Sequence, residues 1–122
     1  MPLRAVLVDD DARFRATARR ALIAEGLDVV AEVGKGAEVE AAVARWRPDM
    51  VLLDIGLPDV DGIEVARRSS ADAGGPVVIL ISSRDVVYGR RVAHGVAAGY
   101  VPKDALSLAA VLEVFGPAST SR

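Results

Sequence analysis

The stretch "AVLVDDDARF" (residues 5–14) places an unbroken apolar run directly before three consecutive aspartates, Asp9, Asp10 and Asp11. An apolar run of this kind is typical of a strand that is covered on both faces. Two unit charges about 4 Å apart repel by on the order of 4 kcal/mol at an effective dielectric of about 20. A cation near the strand end, or a different direction for one of the three side chains, would relieve this repulsion.

Similar apolar runs recur along the chain at nearly even spacing, at 3–8, 27–33, 50–53, 76–82 and 99–103. Segments of helix-like composition follow them, at 11–25, 36–46, 62–72, 85–97 and 104–115. Strands that alternate with helices at this period predict repeated strand–helix units and a parallel sheet.

The composition of the runs predicts their order in that sheet. The first, third and fourth runs are nearly continuous in Val, Leu and Ile, as expected for interior strands. Asp28 and Glu32 interrupt the second run, and Pro102, which cannot donate to a strand ladder, lies in the fifth. These features predict an α/β, flavodoxin-like, doubly wound (βα)5 fold with a five-stranded parallel sheet in the order 2-1-3-4-5.

Length and composition restrict the class of protein. The chain has 122 residues, 52% of them hydrophobic and 26% charged, which predicts one soluble domain over 1–116 and a disordered polar tail over 117–122. The absence of cysteine excludes disulfides, thiolate metal sites and cysteine nucleophiles. The sequence shows no basic stripe, signal peptide or membrane span, so we expect a cytoplasmic protein that binds neither nucleic acid nor membranes directly.

Functional groups in such a sheet collect at the carboxyl ends of the strands, where the strand order reverses. This sequence places there Asp9 and Asp10, Asp54, Ser82 with its neighbour Ser83, and Lys103. Three carboxylates balance a divalent cation plus one ammonium, and Mg²⁺ prefers hard oxygen ligands of this kind. A carboxylate beside Mg²⁺ and a lysine can act as a nucleophile toward phosphorus.

Four motifs in this order resemble the receiver (REC) domain of bacterial two-component response regulators: "VLVDDD" (6–11), "VLLDIGLPDVDGIEV" (51–65), "VVILISSRD" (77–85) and "GYVPKD" (99–104). The resemblance extends to about Phe115. One departure is Asp104, which stands where the family most often has proline after the lysine; here proline precedes the lysine, as Pro102.

The resemblance implies a role for each residue of the group. Asp54 would accept the phosphoryl group, Ser82 would donate a hydrogen bond to it, and Lys103 would pair with it. Asp9, Asp10, Asp54 and the backbone carbonyl of Gly56 would bind Mg²⁺. Tyr100, together with Ser82, would act as the conformational switch. The third aspartate of the opening stretch, Asp11, is predicted to cap the first helix instead.

By the same resemblance, a sensor histidine kinase or a phosphotransfer protein would phosphorylate Asp54, with intrinsic autophosphorylation and autodephosphorylation by the domain itself. The surface of the fourth helix, fifth strand and fifth helix would then change its preference for a downstream protein or for a second copy of the chain. An alternative is a receiver fold that binds a partner or ligand without phosphorylation. A phosphatase similar to the haloacid-dehalogenase group is disfavoured, because Asp104 and Glu113 are the only acidic residues after Lys103.

Overall fold

Five parallel strands form one sheet in the computed structural model, which describes residues 2–59, 61–70, 75–83 and 97–120. The strands are β1 (Arg4–Val8), β2 (Asp28–Val33), β3 (Met50–Asp54), β4 (Val77–Ser82) and β5 (Gly99–Pro102). The helices are α1 (Ala12–Ala24), α2 (Val39–Trp46), α3 (Gly62–Ser70) and a C-terminal helix (Leu108–Thr120). Short 3-10 turns lie at Gly36–Glu38 and Lys103–Ala105.

The strand order is β2-β1-β3-β4-β5, with every neighbouring pair parallel, which confirms the predicted fold class and order. The two strands with polar or proline interruptions, β2 and β5, lie at the edges. Pro102 ends β5 opposite Ser82 of β4, so the residue that cannot donate to a strand ladder lies at the last position of an edge strand. The register pairs Asp54 of β3 with Ile81, so the ends of the central strands lie level with one another.

The sheet is covered on both faces, as the continuous apolar strands require. Ala5 and Leu7 of β1 point to the face covered by α1 and the C-terminal helix. Val6 and Val8 point to the opposite face, which α2 and α3 cover. Because side chains along a strand alternate between faces, each central strand contributes to both apolar clusters. This leaves the polar residues that follow the strands at one edge of the sheet.

The start of α1 separates the three consecutive aspartates. Asp11 has an extended backbone conformation, and its side chain accepts hydrogen bonds from the backbone N–H groups of Arg13 and Phe14, which confirms the predicted helix cap. Its carboxylate is therefore committed to the helix, whereas Asp9 and Asp10 remain at the strand end.

Two predictions concern the later part of the chain. The predicted fourth helix over 85–97 lies outside the described residues, apart from its last position. The C-terminal helix continues to Thr120, beyond residue 116, where the sequence predicts a polar tail. Within the part of the chain that the structure describes, no helix is long and apolar enough to cross a membrane.

Candidate functional site

An acidic cluster lies at the carboxyl edge of the sheet. Asp9 and Asp10 follow β1, Asp54 ends the neighbouring β3, and one carboxylate oxygen of each lies within 4.8 Å of the others. Asp9 is completely buried and Asp54 is 4% exposed, whereas Asp10 is open to solvent. The fold thus holds two carboxylates out of water and a third at the entrance.

Lys103 lies at this cluster, brought there by the end of β5 and the 3-10 turn that begins with it. Its Nζ is 2.6 Å from Oδ2 of Asp9 and 3.3 Å from Oδ2 of Asp54. Burial lowers the pKa of Lys103, but the nearby Asp9 and Asp54 carboxylates outweigh that effect and hold the pKa above its usual value. The lysine is therefore a cation at neutral pH, bridging two buried carboxylates.

One ammonium does not compensate three carboxylates. Burial raises the pKa of Asp9 and the Asp54 charge adds to the rise, although the Lys103 ammonium and the hydrogen bond from the backbone N–H of Asp11 oppose it. Asp9 Oδ2 lies against the ammonium but makes no regular hydrogen bond. Hard oxygen donors with an excess of negative charge are the donor set that Mg²⁺ prefers, so these residues fit that ion.

Gly56 lies beside the Asp54 carboxylate. Its backbone N–H donates to Oδ1 of Asp54 at 2.9 Å. A Cβ at this position would lie 3.5 Å from the same oxygen, in ordinary contact distance. The glycine therefore leaves the face of Asp54 uncovered by a side chain on this side, while one carboxylate oxygen is held in place by the main chain.

Ser82 and Tyr100 lie on the neighbouring strands β4 and β5. Ser82 ends β4 and is 4% exposed, while Ser83 is open to solvent. The hydroxyl of Tyr100, a half-buried side chain, donates to the backbone carbonyl of Ser82 at 3.3 Å. This hydrogen bond links the tyrosine directly to the strand end that carries the serine.

Two neighbours of the site lie on α1 and were not predicted from the sequence. Nη1 of Arg15 donates to the backbone carbonyl of Asp9, and Nε of Arg15 lies 3.4 Å from the Glu32 carboxylate. The Phe14 ring lies beneath the ammonium of Lys103, with 4.8 Å between Nζ and the ring centroid. Both residues lie about one turn after the cap at Asp11. Because the first turn of this helix lies next to the strand ends, their positions in the sequence could have indicated contact with the site.

A third unidentified residue, Asp59, lies in the loop after β3. Its two carboxylate oxygens accept from the backbone N–H groups of Gly36 and Ala37, at 3.1 and 3.2 Å. The slight desolvation of Asp59 raises its pKa, but these hydrogen bonds outweigh it and lower the pKa below its usual value. Asp59 therefore joins the loop that follows Asp54 to the start of α2.

Curated response regulators are similar in sequence to much of this chain. The DNA-binding response regulator MtrA of Mycobacterium tuberculosis (strain ATCC 25618 / H37Rv) is 42% identical over 87 residues, which cover 71% of this chain and 38% of MtrA. The response regulator MprA of Mycobacterium sp. (strain KMS) is 38% identical over 107 residues, covering 84% of this chain and 45% of MprA. The chain thus spans less than half the length of these curated relatives.

Solved structures agree with the fold. The signal receiver domain of the putative response regulator NarL from Mycobacterium tuberculosis superimposes with a TM-score of 0.80 at 29% identity, covering 99% of this chain and 98% of that one. The BeF3-activated N-terminal receiver domain of Klebsiella pneumoniae RstA has a TM-score of 0.78 at 29% identity, with 93% and 95% covered. The family model described as "Response regulator receiver domain" matches residues 5–113, and the chain therefore belongs to the family of response regulator receiver domains.

Proposed function

We propose that Asp54 accepts a phosphoryl group from the phosphohistidine of a sensor histidine kinase or a phosphotransfer protein. The observation that carries this proposal is the Lys103 ammonium held between the buried carboxylates of Asp9 and Asp54. A buried carboxylate with a fixed cation beside it has the charge environment that attack on phosphorus requires. Residues 1–116 are proposed as the receiver unit.

In the transfer, an Asp54 oxygen forms a bond to phosphorus while the bond between phosphorus and the imidazole nitrogen breaks. The electron pair of the broken bond returns to the nitrogen of the departing histidine. The Gly56 N–H fixes one Asp54 oxygen, so the orientation of the nucleophile is partly set before the donor arrives. Lys103 then pairs with a phosphoryl oxygen, and the buried Ser82 hydroxyl donates to another.

Asp9, Asp10, Asp54 and the backbone carbonyl of Gly56 are the groups that would hold Mg²⁺. When bound, the ion would neutralise charge on the transferring group. Asp9 would contribute a buried oxygen and Asp10 one that faces water, so the pair could hold an ion that keeps part of its hydration shell. Arg15, which donates to the Asp9 carbonyl, would keep that backbone in position.

The output of the domain is proposed to be a change of binding surface. The Tyr100 hydroxyl donates to the Ser82 carbonyl, so movement of Ser82 toward a phosphoryl group would change this hydrogen bond and shift the tyrosine side chain. The surface affected would combine β5, the C-terminal helix and the segment of the predicted fourth helix, and would bind a downstream protein or a second copy of the chain. The cytoplasmic location expected from the sequence remains a prediction.

The acceptor chemistry is tested by the mass of the intact protein after incubation with Mg²⁺ and acetyl phosphate. We expect a gain of one phosphoryl group in the wild type and in Asp28→Asn, which removes an exposed carboxylate at the opposite edge of the sheet. Asp54→Asn should gain none, and EDTA should suppress the gain in the wild type. A gain that survives Asp54→Asn would assign the acceptor to another residue.

Rapid hydrolysis would hide the product, so binding of beryllofluoride is measured in parallel. Beryllofluoride is suited to this purpose because the RstA receiver domain of known structure is described as BeF3-activated. If the wild type neither gains mass nor binds beryllofluoride in the presence of Mg²⁺, phosphoryl acceptance by this chain is refuted.

A further inference from the structure

The Lys103 ammonium has a neighbour that is neither an acid nor a hydrogen-bond acceptor. Besides the two carboxylates, the Phe14 ring lies 4.8 Å from Nζ, a distance at which a cation is attracted to the π face of an aromatic ring. The lysine side chain is 20% exposed, so the attraction is only partly screened by water. Two carboxylates and one ring thus flank the ammonium.

The ring is held in this place by α1 and by the core. The Phe14 backbone N–H donates to the Asp11 carboxylate that caps α1, which fixes where the first turn begins. Its half-buried side chain packs against the apolar cluster that contains Leu7 and Val101. The position of the ring therefore does not depend on Lys103.

The two carboxylates, in contrast, change during the proposed cycle. A metal ion would compete with the ammonium for Asp9, and phosphorylation would convert the Asp54 carboxylate into an ester. Of the three neighbours described, Phe14 is the one whose attraction for the ammonium stays the same in each of these states. A lysine held by acids alone would be released from one of them at each step.

We propose that Phe14 is a positioning residue for Lys103, which keeps the ammonium over Asp54 while its acidic partners are exchanged. This proposal rests on the proposed function of Asp54 for its role in catalysis, but the contact itself can be tested without phosphorylation. Phe14 acts through Lys103 and touches none of the reacting atoms.

The chain offers an internal reference for the test, because Lys35 and Lys103 are its only lysines and Lys35 is exposed. Brief treatment with N-hydroxysuccinimidyl acetate, followed by peptide mass mapping, gives the labelling ratio of Lys103 to Lys35. We expect Phe14→Leu, which keeps an apolar side chain but removes the ring, to raise this ratio about threefold. Phe14→Tyr, which retains the ring, should restore the wild-type ratio.

The same variants are compared in the rate of phosphoryl gain from acetyl phosphate, where Phe14→Leu should be about threefold slower and Phe14→Tyr near the wild type. Phe115→Leu is the matched control, because it removes another ring packed on the same apolar cluster. It should change neither the labelling ratio nor the rate. If Phe14→Leu is unfolded by circular dichroism, Phe14→Met replaces it.

Equal labelling ratios in the wild type, the Leu variant and the Tyr variant would overturn the proposal. So would a Tyr variant that behaves like the Leu variant, because the ring would then have no specific effect. A changed labelling ratio in a protein that neither gains a phosphoryl group nor binds beryllofluoride would support the contact and refute the function of Asp54, so the two failures are distinguishable.

Discussion

Replacing Lys103 by methionine tests the electrostatic basis of the site. The substitution keeps the length of the side chain and removes its charge, leaving Asp9 and Asp54 without the ammonium that lies 2.6 and 3.3 Å from them. Both carboxylates are buried. Their remaining polar contacts include the backbone N–H groups of Asp11 and Gly56, which carry no formal charge. We therefore expect the free energy of unfolding to fall.

The size of the loss follows from burial. Removing one partner of a fully buried ion pair costs about 3–5 kcal/mol, because the remaining charge is left without compensation. Lys103 is one-fifth exposed and the adjacent Asp10 is open to solvent, so water already screens part of the interaction. We expect Lys103→Met to lower the free energy of unfolding by about 2–3 kcal/mol at pH 7 in EDTA.

The loss should depend on pH with a defined sign. The folded-state pKa of Asp9 lies above its usual value of 3.8, so protonation of Asp9 favours the folded state, and this contribution is lost as the pH rises through the folded pKa. Without Lys103 that pKa rises further. The difference in free energy of unfolding between Lys103→Met and the wild type should therefore be smallest near pH 4 and largest at neutral pH.

Urea unfolding, followed by the fluorescence of the single tryptophan, Trp46, measures these free energies. Lys35→Met is the control and should leave stability nearly unchanged. Adding Asp9→Asn to Lys103→Met should recover part of the loss, because one of the uncompensated charges is gone. A Lys103→Met variant as stable as the wild type at pH 7 would refute the view that the ammonium compensates the buried carboxylates.

Three further outcomes can be checked by thermal or urea unfolding. Asp59→Asn should lower the Tm at pH 6 but not near pH 2. The pKa of Asp59 is lower in the folded state, so its ionised carboxylate stabilises the fold, and this stabilisation is lost as the pH falls from 3.8 through the folded-state pKa. Gly99→Ala should cost about 1–3 kcal/mol, since its Cβ would lie 2.7 Å from Val114 Cγ1, and Val114→Ala should relieve part of that cost. Gly62→Ala, whose Cβ would lie 2.8 Å from a main-chain atom, should destabilise more than Gly56→Ala, where the distance is 3.5 Å; equal effects would contradict this.

The fold could be predicted from the sequence because each strand carries its own burial pattern. Continuous Val, Leu and Ile in three runs require cover on both faces, and Asp28, Glu32 and Pro102 are tolerated only at edges, so few strand orders remained. The capping role of Asp11 was predictable for a similar reason, since a helix start has free N–H groups that need an acceptor.

The surroundings of the acidic cluster were less predictable, because they depend on how α1 and the loops lie against the strand ends. Phe14 and Arg15 occur in a segment whose pattern predicts only a helix with one apolar face. Their contacts with Lys103 and with the Asp9 carbonyl follow from the rotation of that helix, which the register of the cap determines. Asp59 bonds to backbone groups more than twenty positions earlier, and no local pattern indicates such a contact.

The three consecutive aspartates of the opening stretch are accommodated by three different environments. Asp11 caps α1, Asp9 is buried against Lys103, and Asp10 remains in water. Among the described residues, the Lys103 ammonium leaves two of the three charges of the Asp9, Asp10 and Asp54 cluster uncompensated, and a divalent cation would balance them. A phosphoryl group on Asp54 would add further negative charge at the same place. Because coupling between two bound groups is reciprocal, Mg²⁺ should bind more tightly to the phosphorylated domain, and phosphorylation should in turn be favoured by Mg²⁺.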